Sequence, residues 1–180
     1  MSRTARLTAT IALALSPALA HAQDPQAAAN TARAKEGMAP LAGMIGNWEG
    51  EASATTGPGQ TQKARQTEEI ISAANGTVLQ VRGTGRDPST GAIIYEAAGT
   101  IWFDIESGRI RMRTHNNGRS IEPEVEVRPD TIVWGFAVPG GRVRYTTAFT
   151  ADTWHEVGEF VREGAPPIRT MEMRLRRTAP

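Results

Sequence analysis

The residues of this chain that can do chemistry are few, and one carboxylate stands out among them. Glu156 lies in the alternating run WHEVGEFV, residues 154–161, which reads as a strand. Alternation puts it on one face with Gly158 and Phe160. Folding back through a turn at Asp152-Thr153 sets Phe149 against Glu156, Thr147 against Gly158 and Tyr145 against Phe160. A carboxylate on an apolar face needs a partner or takes a raised pKa. Two structural readings are an internal ion pair with Arg162 or Arg169, and a register one residue out. The functional reading makes Glu156 a ligand-facing group or a general acid or base, with Tyr145 assisting. Other patterns carry less. His155-Glu156-Val157-Gly158-Glu159 lacks the second His of the zinc helix motif and lies on a strand. Gly83-Thr84-Gly85 has no helix after it to cradle a dinucleotide. No Ser sits in a nucleophile elbow, and a chain with no Cys does no thiol chemistry. No metal site is indicated.

The elements that must position Glu156 are hairpins. From Trp48 to Arg177, apolar and polar residues alternate in short runs separated by Gly, Pro, Asp or Asn. With no helix-length run between them, about ten strands in sequence order predict an all-β, up-and-down antiparallel barrel with a short N-terminal helical lead-in. Parity then assigns the inner faces. Strand 92–104 turns Tyr95, Ala97, Gly99, Ile101 and Phe103 inward, and strand 131–138 turns Ile132, Trp134 and Phe136 inward. After a Pro139-Gly140-Gly141 turn come Val143, Tyr145, Thr147 and Phe149. The last strand contributes Met171, Met173, Leu175 and the stem of Arg177, and the first contributes Trp48, Gly50, Ala52 and Ala54. Large residues on this inner surface alternate with small ones, among them Gly83, Gly85 and Gly158. That mixture fits either tight packing or a ligand cavity. The candidate ligand-binding set is Tyr95, Phe103, Met112, Trp134, Phe136, Tyr145, Phe149, Glu156, Phe160, Met171 and Met173.

One hairpin supplies a register check. Folding RIRMRTH (109–115) and SIEPEVEV (120–127) about Asn117-Gly118 pairs Arg113 with Glu122, Arg111 with Glu124 and Arg109 with Glu126. All three pairs share one face, while Ile110, Met112, Thr114, Ile121, Pro123 and Val125 share the other. A slip by one residue buries the charges, so the ladder fixes which side is outside. Pro123 falls at a bonded pair with Met112 if the turn has two residues. A four-residue loop, Asn116 to Arg119, or a local bulge avoids this.

The N-terminus reads as an export signal. Arg3 and Arg6 precede a short Ala/Leu-rich stretch, and Ala20-His21-Ala22 is a small-x-small cleavage site. The expected organisation is a signal peptide over 1–22, an Ala-rich linker or loose helix outside the barrel over 23–39, and a barrel domain over 40–178. Pro40 can open one helical turn that plugs a barrel end. The predicted location is periplasmic or secreted. No later segment is apolar enough to span a membrane, and 20 Lys and Arg against 19 Asp and Glu give no reason to expect nucleic acid or an anionic membrane as partner. The expected partner is a small apolar molecule.

Gly46-Asn47-Trp48 opens the first strand and Arg177 ends the last, so closure brings Arg177 over the Trp48 indole as a cation–π pair. Gly-x-Trp with a terminal Arg and a continuous run of hairpins resembles the calycin superfamily: lipocalins, fatty-acid-binding proteins and nitrobindins. The segments GTGRDPSTG (83–91), WGFAVPGGRVRY (134–145) and WHEVGEFVREG (154–164) also resemble a family of small exported bacterial β proteins of unknown function. The resemblance implies a barrel and an exported protein holding a small, mainly apolar ligand. An enzyme using the interior as its reaction chamber, and a haem or nitric-oxide binder of nitrobindin type, are the alternatives. Nitrobindins carry a Gly-x-Trp-x-Gly-x-Gly-x-Gly stretch and a haem-ligating His near the C-terminus. Here Gly50 fits, Ala52 and Ala54 replace the later glycines, and the last strand has no His. His115 and His155 fall on outer faces. Met171 and Met173 point inward, and Met ligates haem mostly beside a His.

Overall fold

Turn residues punctuate the chain into eleven strands with no α-helix between any two of them, in a computed structural model that describes residues 24–178. The predicted signal peptide lies outside the described residues. The strands are β1 (Gly46–Gly57), β2 (Gln60–Ala73), β3 (Val78–Arg86), β4 (Ile93–Asp104), β5 (Arg109–Asn116), β6 (Arg119–Ile121), β7 (Glu124–Arg128), β8 (Thr131–Val138), β9 (Gly141–Phe149), β10 (Thr153–Val161) and β11 (Ile168–Arg177). All neighbours are antiparallel. The single sheet runs β6-β5-β4-β3-β2-β1-β11-β10-β9-β8-β7. The last strand therefore lies beside the first, as an up-and-down barrel requires.

The sheet curls without closing into a hydrogen-bonded ring, which corrects the expected ten-strand closed barrel. Its two edges, β6 and β7, are consecutive in the chain and separated only by Glu122 and Pro123. Pro123 has no N–H to give a ladder. The chain therefore pairs with β5 up to Ile121, then passes to β8 from Glu124 onward. This also corrects the turn. Asn117 (φ 48) and Gly118 (φ 71) make a two-residue turn closed by Asn116 and Arg119, as an Asn-Gly pair favours, and no longer loop forms. The charge ladder holds only at its first rung. Glu122 bridges Arg113 and Arg111, whereas Glu124 pairs with Arg142 and Glu126 with Arg128. Arg109 loses its expected partner because Glu126 has moved to the β8 side.

One end of the barrel is plugged. Residues 25–38, read as a linker or loose helix, form a helix, α1 (Pro25–Met38). Its first turn is capped by the Asp24 carboxylate, which accepts from the Gln26 N–H at 3.0 Å. The helix buries Ala34 and Met38, sets Gly37 against the Phe103 ring, and ties to the β2–β3 turn through Lys35 Nζ and Asn75 Oδ1 at 3.1 Å. A 3-10 segment, Ala39–Met44, with Pro40 in its first turn, then drives Leu41 and Met44 into the end of the barrel. The Met44 carbonyl accepts from the Trp48 indole at 2.9 Å, and Trp48 meets Trp154 edge-on at 5.6 Å between ring centres.

The seam between first and last strands carries the expected pair. Trp48 and Arg177 are register partners, and the guanidinium carbon lies 4.0 Å from the centre of the indole. The same guanidinium donates to the carbonyls of Ala151, Ile45 and Gly43. Gly46 explains its own place in the Gly-x-Trp motif: its φ is +138°, and a Cβ there would collide with Arg177.

Candidate functional site

The plug fills one end of the inner face, and the hairpins β1–β2, β3–β4, β5–β6, β8–β9 and β10–β11 surround the other. Between plug and mouth lies a cavity of about 300 Å³, at the small end of the range for ligand pockets. Of the predicted residues, Tyr95, Met112, Trp134, Phe136, Tyr145, Glu156 and Met173 are on its wall. Trp134 and Tyr145, cross-strand partners on β8 and β9, stack at 4.1 Å with a 17° tilt. Four predicted residues lie off the wall, because the inner face is longer than the cavity. Phe103 packs on α1 and Phe149 on Gly43 of the plug, while Met171 sits beside Gly158 and Phe160 packs at the rim against Gly141 under Arg162.

Glu156 faces inward and is buried, but its partners differ from those expected. The register between β9 and β10 is two residues off the predicted one, since Thr150 to Asp152 form the turn. Glu156 therefore opposes Thr147, Gly158 opposes Tyr145 and Phe149 opposes Trp154. A shift of two preserves parity, so the inward direction survives. No ion pair forms with Arg162 or Arg169: Arg169 bonds Glu172 on the outer face and Arg162 lies over Phe160. The Thr147 hydroxyl donates to Glu156 Oε2 at 2.7 Å.

Facing it is a second carboxyl that sequence reasoning missed, Glu68 on β2. The Gln66 amide donates to Glu68 Oε1 at 2.8 Å, and both side chains are buried. They fit because their cross-strand partners on β3 are Gly83 and Gly85. A Cβ at Gly83 would sit 2.6 Å from Glu68 Oε1, and one at Gly85 would sit 2.9 Å from Gln66 Oε1. The small inner residues at 83 and 85 are thus neither simple packing nor empty space. They make room for polar groups. The signal was present in the Asn75-Gly76 turn, where both residues have positive φ; folding back across it from an inward Gly83 reaches Glu68.

Electrostatically the pair is strained. Burial, then repulsion from Glu156, pushes the Glu68 carboxyl up to about 8 against the pull of Gln66. Burial raises Glu156 as well, opposed by Thr147 and by the nearby Trp154 indole. The Trp154 N–H is itself buried without hydrogen-bond geometry to any acceptor. The Tyr95 phenol is pushed up to about 12 by burial and then by Glu68, although its ring is half exposed at the mouth. Tyr145 is raised by burial and then by Glu156. Two buried acids with raised pKa values can hold a proton inside the cavity.

Haem does not fit this wall. Among the described residues no His reaches the cavity: His115 bonds Ser120 Oγ at 2.7 Å and His155 bonds Glu172 at 2.9 Å, both on the outer face. A larger hollow, about 640 Å³, is an open trough over β2–β5 with Ile71, Gln80, Arg82 and His115 on its surface. It holds none of the groups with a raised pKa, so the interior is the candidate site.

No family model matches the chain, and neither does any curated protein. Among solved structures it is similar to Rv2717c from M. tuberculosis, with TM-score 0.60 and 12% identity over 79% of this chain and 98% of that one. It is also similar to the S-type phycobiliprotein lyase CPES from Guillardia theta, with TM-score 0.55 and 11% identity over 85% and 97%. At such identities the likeness is one of fold alone, a curled, up-and-down antiparallel β-barrel, which is consistent with a calycin-type barrel.

Proposed function

We propose that this chain is an exported binding protein that holds one small, mainly apolar molecule inside the barrel. The observation that carries the reading is the plugged, aromatic-walled cavity of about 300 Å³. Export is supported by the basic, apolar and small-x-small order of residues 1–22. The test uses the mature protein from Gln23 onward. An environment-sensitive apolar dye should brighten on it, and protein incubated with cell extract should carry a small-molecule adduct in native mass spectrometry. A dark dye together with an empty protein refutes the reading.

A second reading, an enzyme acting on a small apolar or phenolic substrate, is favoured by the paired carboxyls and the raised Glu156. In that reading Glu156 serves as acid or base and Tyr145 assists. The fold is similar to that of the phycobiliprotein lyase from Guillardia theta, so chemistry on such a barrel has a precedent of fold. If Glu156→Gln folds normally and its unfolding midpoint relative to the parent is the same at pH 5 and pH 8, the perturbed acid on which this reading depends is absent.

A further inference from the structure

We propose that the ligand of this cavity is a small apolar amine, bound as its ammonium ion between Glu68 and Glu156. The inference rests on the binding reading above and names its ligand class.

Four observations point to a cation. First, the wall presents two carboxyls and, among the described residues, no Lys, Arg or His. Carboxylates in an apolar enclosure need a counter-charge, and here the protein supplies none. Second, both side chains that hydrogen-bond to the pair do so as donors. Gln66 gives an N–H to Glu68 and Thr147 gives an O–H to Glu156. Donors of this kind serve the anionic form of a carboxyl. Third, the Trp154 N–H beside Glu156 is buried and unpartnered. An ionised Glu156 is a stronger acceptor for such a donor than a neutral acid is. Fourth, the stacked Trp134 and Tyr145 and the phenol of Tyr95 supply aromatic faces for the charge and for an apolar body. An ammonium carries three N–H donors, enough to reach both carboxylates with one to spare. A bare metal ion would leave most of a 300 Å³ apolar-walled space unfilled.

Binding has a proton signature. Among the described residues, the titratable groups facing one another across the wall are Glu68 from β2, Glu156 from β10, Tyr95 from β4 and Tyr145 from β9, and the other strands contribute none. With its pKa pushed up to about 8 the Glu68 carboxyl is protonated at neutral pH, and burial favours the protonated form of Glu156 as well. An ammonium ion ionises Glu68, and the displaced proton leaves to buffer.

The experiment is calorimetric titration of the mature protein at pH 7 in two buffers of different ionisation heat. The probes are 2-phenylethylamine and tryptamine, each against its alcohol, 2-phenylethanol or indole-3-ethanol, with phenylacetate and calcium chloride as further arms. The expected result is an amine at least about tenfold tighter than its alcohol, roughly 1.4 kcal/mol, with net proton release and no binding of phenylacetate. Glu68→Gln and Glu156→Gln, checked for native near-ultraviolet dichroism, should each weaken the amine by about tenfold or more and leave the alcohol within about twofold. Proton release needs no variant, so a variant that misfolds does not remove the test. Alcohols that bind as tightly as amines, or amines that bind without proton release, overturn the amine inference and leave the binding reading standing. Calcium that binds saturably and excludes the amines assigns the pair to an inorganic cation and overturns it too. If no probe binds and the apolar dye also stays dark, the binding reading itself falls.

Discussion

Replacing Glu68 by Gln should make the protein more stable, and only on the alkaline side. The amide keeps the shape of the carboxyl and an oxygen for the Gln66 N–H, so the substitution removes the charge and little else. The sign follows from proton binding in the two states. In the unfolded chain the carboxyl loses its proton near its ordinary value of 4.5, whereas in the folded chain it keeps the proton up to about 8. Between those values the folded state binds more protons, so stability falls as pH rises and levels off above 8. The loss is about 1.4 kcal/mol per pH unit over that interval, about 5 kcal/mol at pH 9 as an upper bound. Relaxation and water penetration around a buried ion reduce such a penalty, so the working figure is about 3 kcal/mol. That is a large share of the roughly 5–15 kcal/mol that holds a domain together. Urea unfolding of parent and variant at pH 5, 7 and 9 reads the effect as a midpoint difference, about 1–2 M at pH 9 for an ordinary m-value and near zero at pH 5. Titrating groups away from the Glu68–Glu156 pair cancel in the comparison. A midpoint difference that does not change between pH 5 and pH 9 would refute the claim that Glu68 is held neutral in the fold.

Other expectations follow from the seam, the glycines and the outer face. Trp48→Ala should cost about 3–5 kcal/mol by leaving a cavity at the plug. Arg177→Ala should cost about 2–4 kcal/mol, because three carbonyls lose a donor along with the cation–π contact. The two should couple by more than about 0.5 kcal/mol in a double-mutant cycle, and strict additivity would mean the seam is not formed. Gly83→Ala should destabilise by about 1–3 kcal/mol in the parent, since the new Cβ meets Glu68 Oε1 at 2.6 Å. In a Glu68→Ala background the penalty should vanish, and its persistence in denaturant curves would put its cause elsewhere. Glu172, by contrast, is held below its ordinary value by His155 and then by Arg174 and Arg169. It contributes above 4.5 and is lost as pH falls through the lowered folded value. Glu172→Gln should therefore unfold at higher pH than the parent on neutral-to-acid titration from pH 6, followed by far-ultraviolet dichroism.

Much of the fold was legible because local chemistry fixes register in most of the hairpins. Asn117-Gly118 and Pro139-Gly140 each make the two-residue connection that sets parity on the strands beside them. Antiparallel order then places Met171, Met173, Leu175 and Arg177 opposite Ala54, Ala52, Gly50 and Trp48. Where a turn lacks such a marker, register slides. Thr150-Ala151-Asp152 has no Gly or Pro, and the predicted β9–β10 pairing was two residues out, although even-numbered slippage left every side chain on its correct face. Pro123 carried information that parity alone did not use. A residue without an N–H in the middle of an apparent strand marks the point where the chain leaves one neighbour for another, and it breaks the charge ladder at the same place.

The carboxyl pair shows why a site can stay hidden in a sequence whose fold is plain. A strict two-residue turn at Pro58-Gly59 carries Trp48 onto Glu69 and turns Glu69, Thr67 and Arg65 inward. The chain instead pairs Gly57 with Gln60 and then Thr55 with Thr61, leaving Thr56 as an extra residue in the ladder. One bulged residue reverses parity along the rest of the hairpin. Trp48 then faces Glu68, and Gly50 faces Gln66. Hydrophobic alternation does not reveal this, because Ile70 and Ile71 are adjacent and satisfy either parity. The decisive constraint is on the neighbouring strand β3, in glycines at 83 and 85 that only make sense if something polar occupies the space beside them. A bulge near a sheet's open rim is a common device for re-aiming side chains, and here it aims a glutamate into a cavity where folding alone is better served by a neutral residue. A substitution that stabilises the empty barrel at alkaline pH and abolishes tight amine binding would place that strain in the service of the ligand.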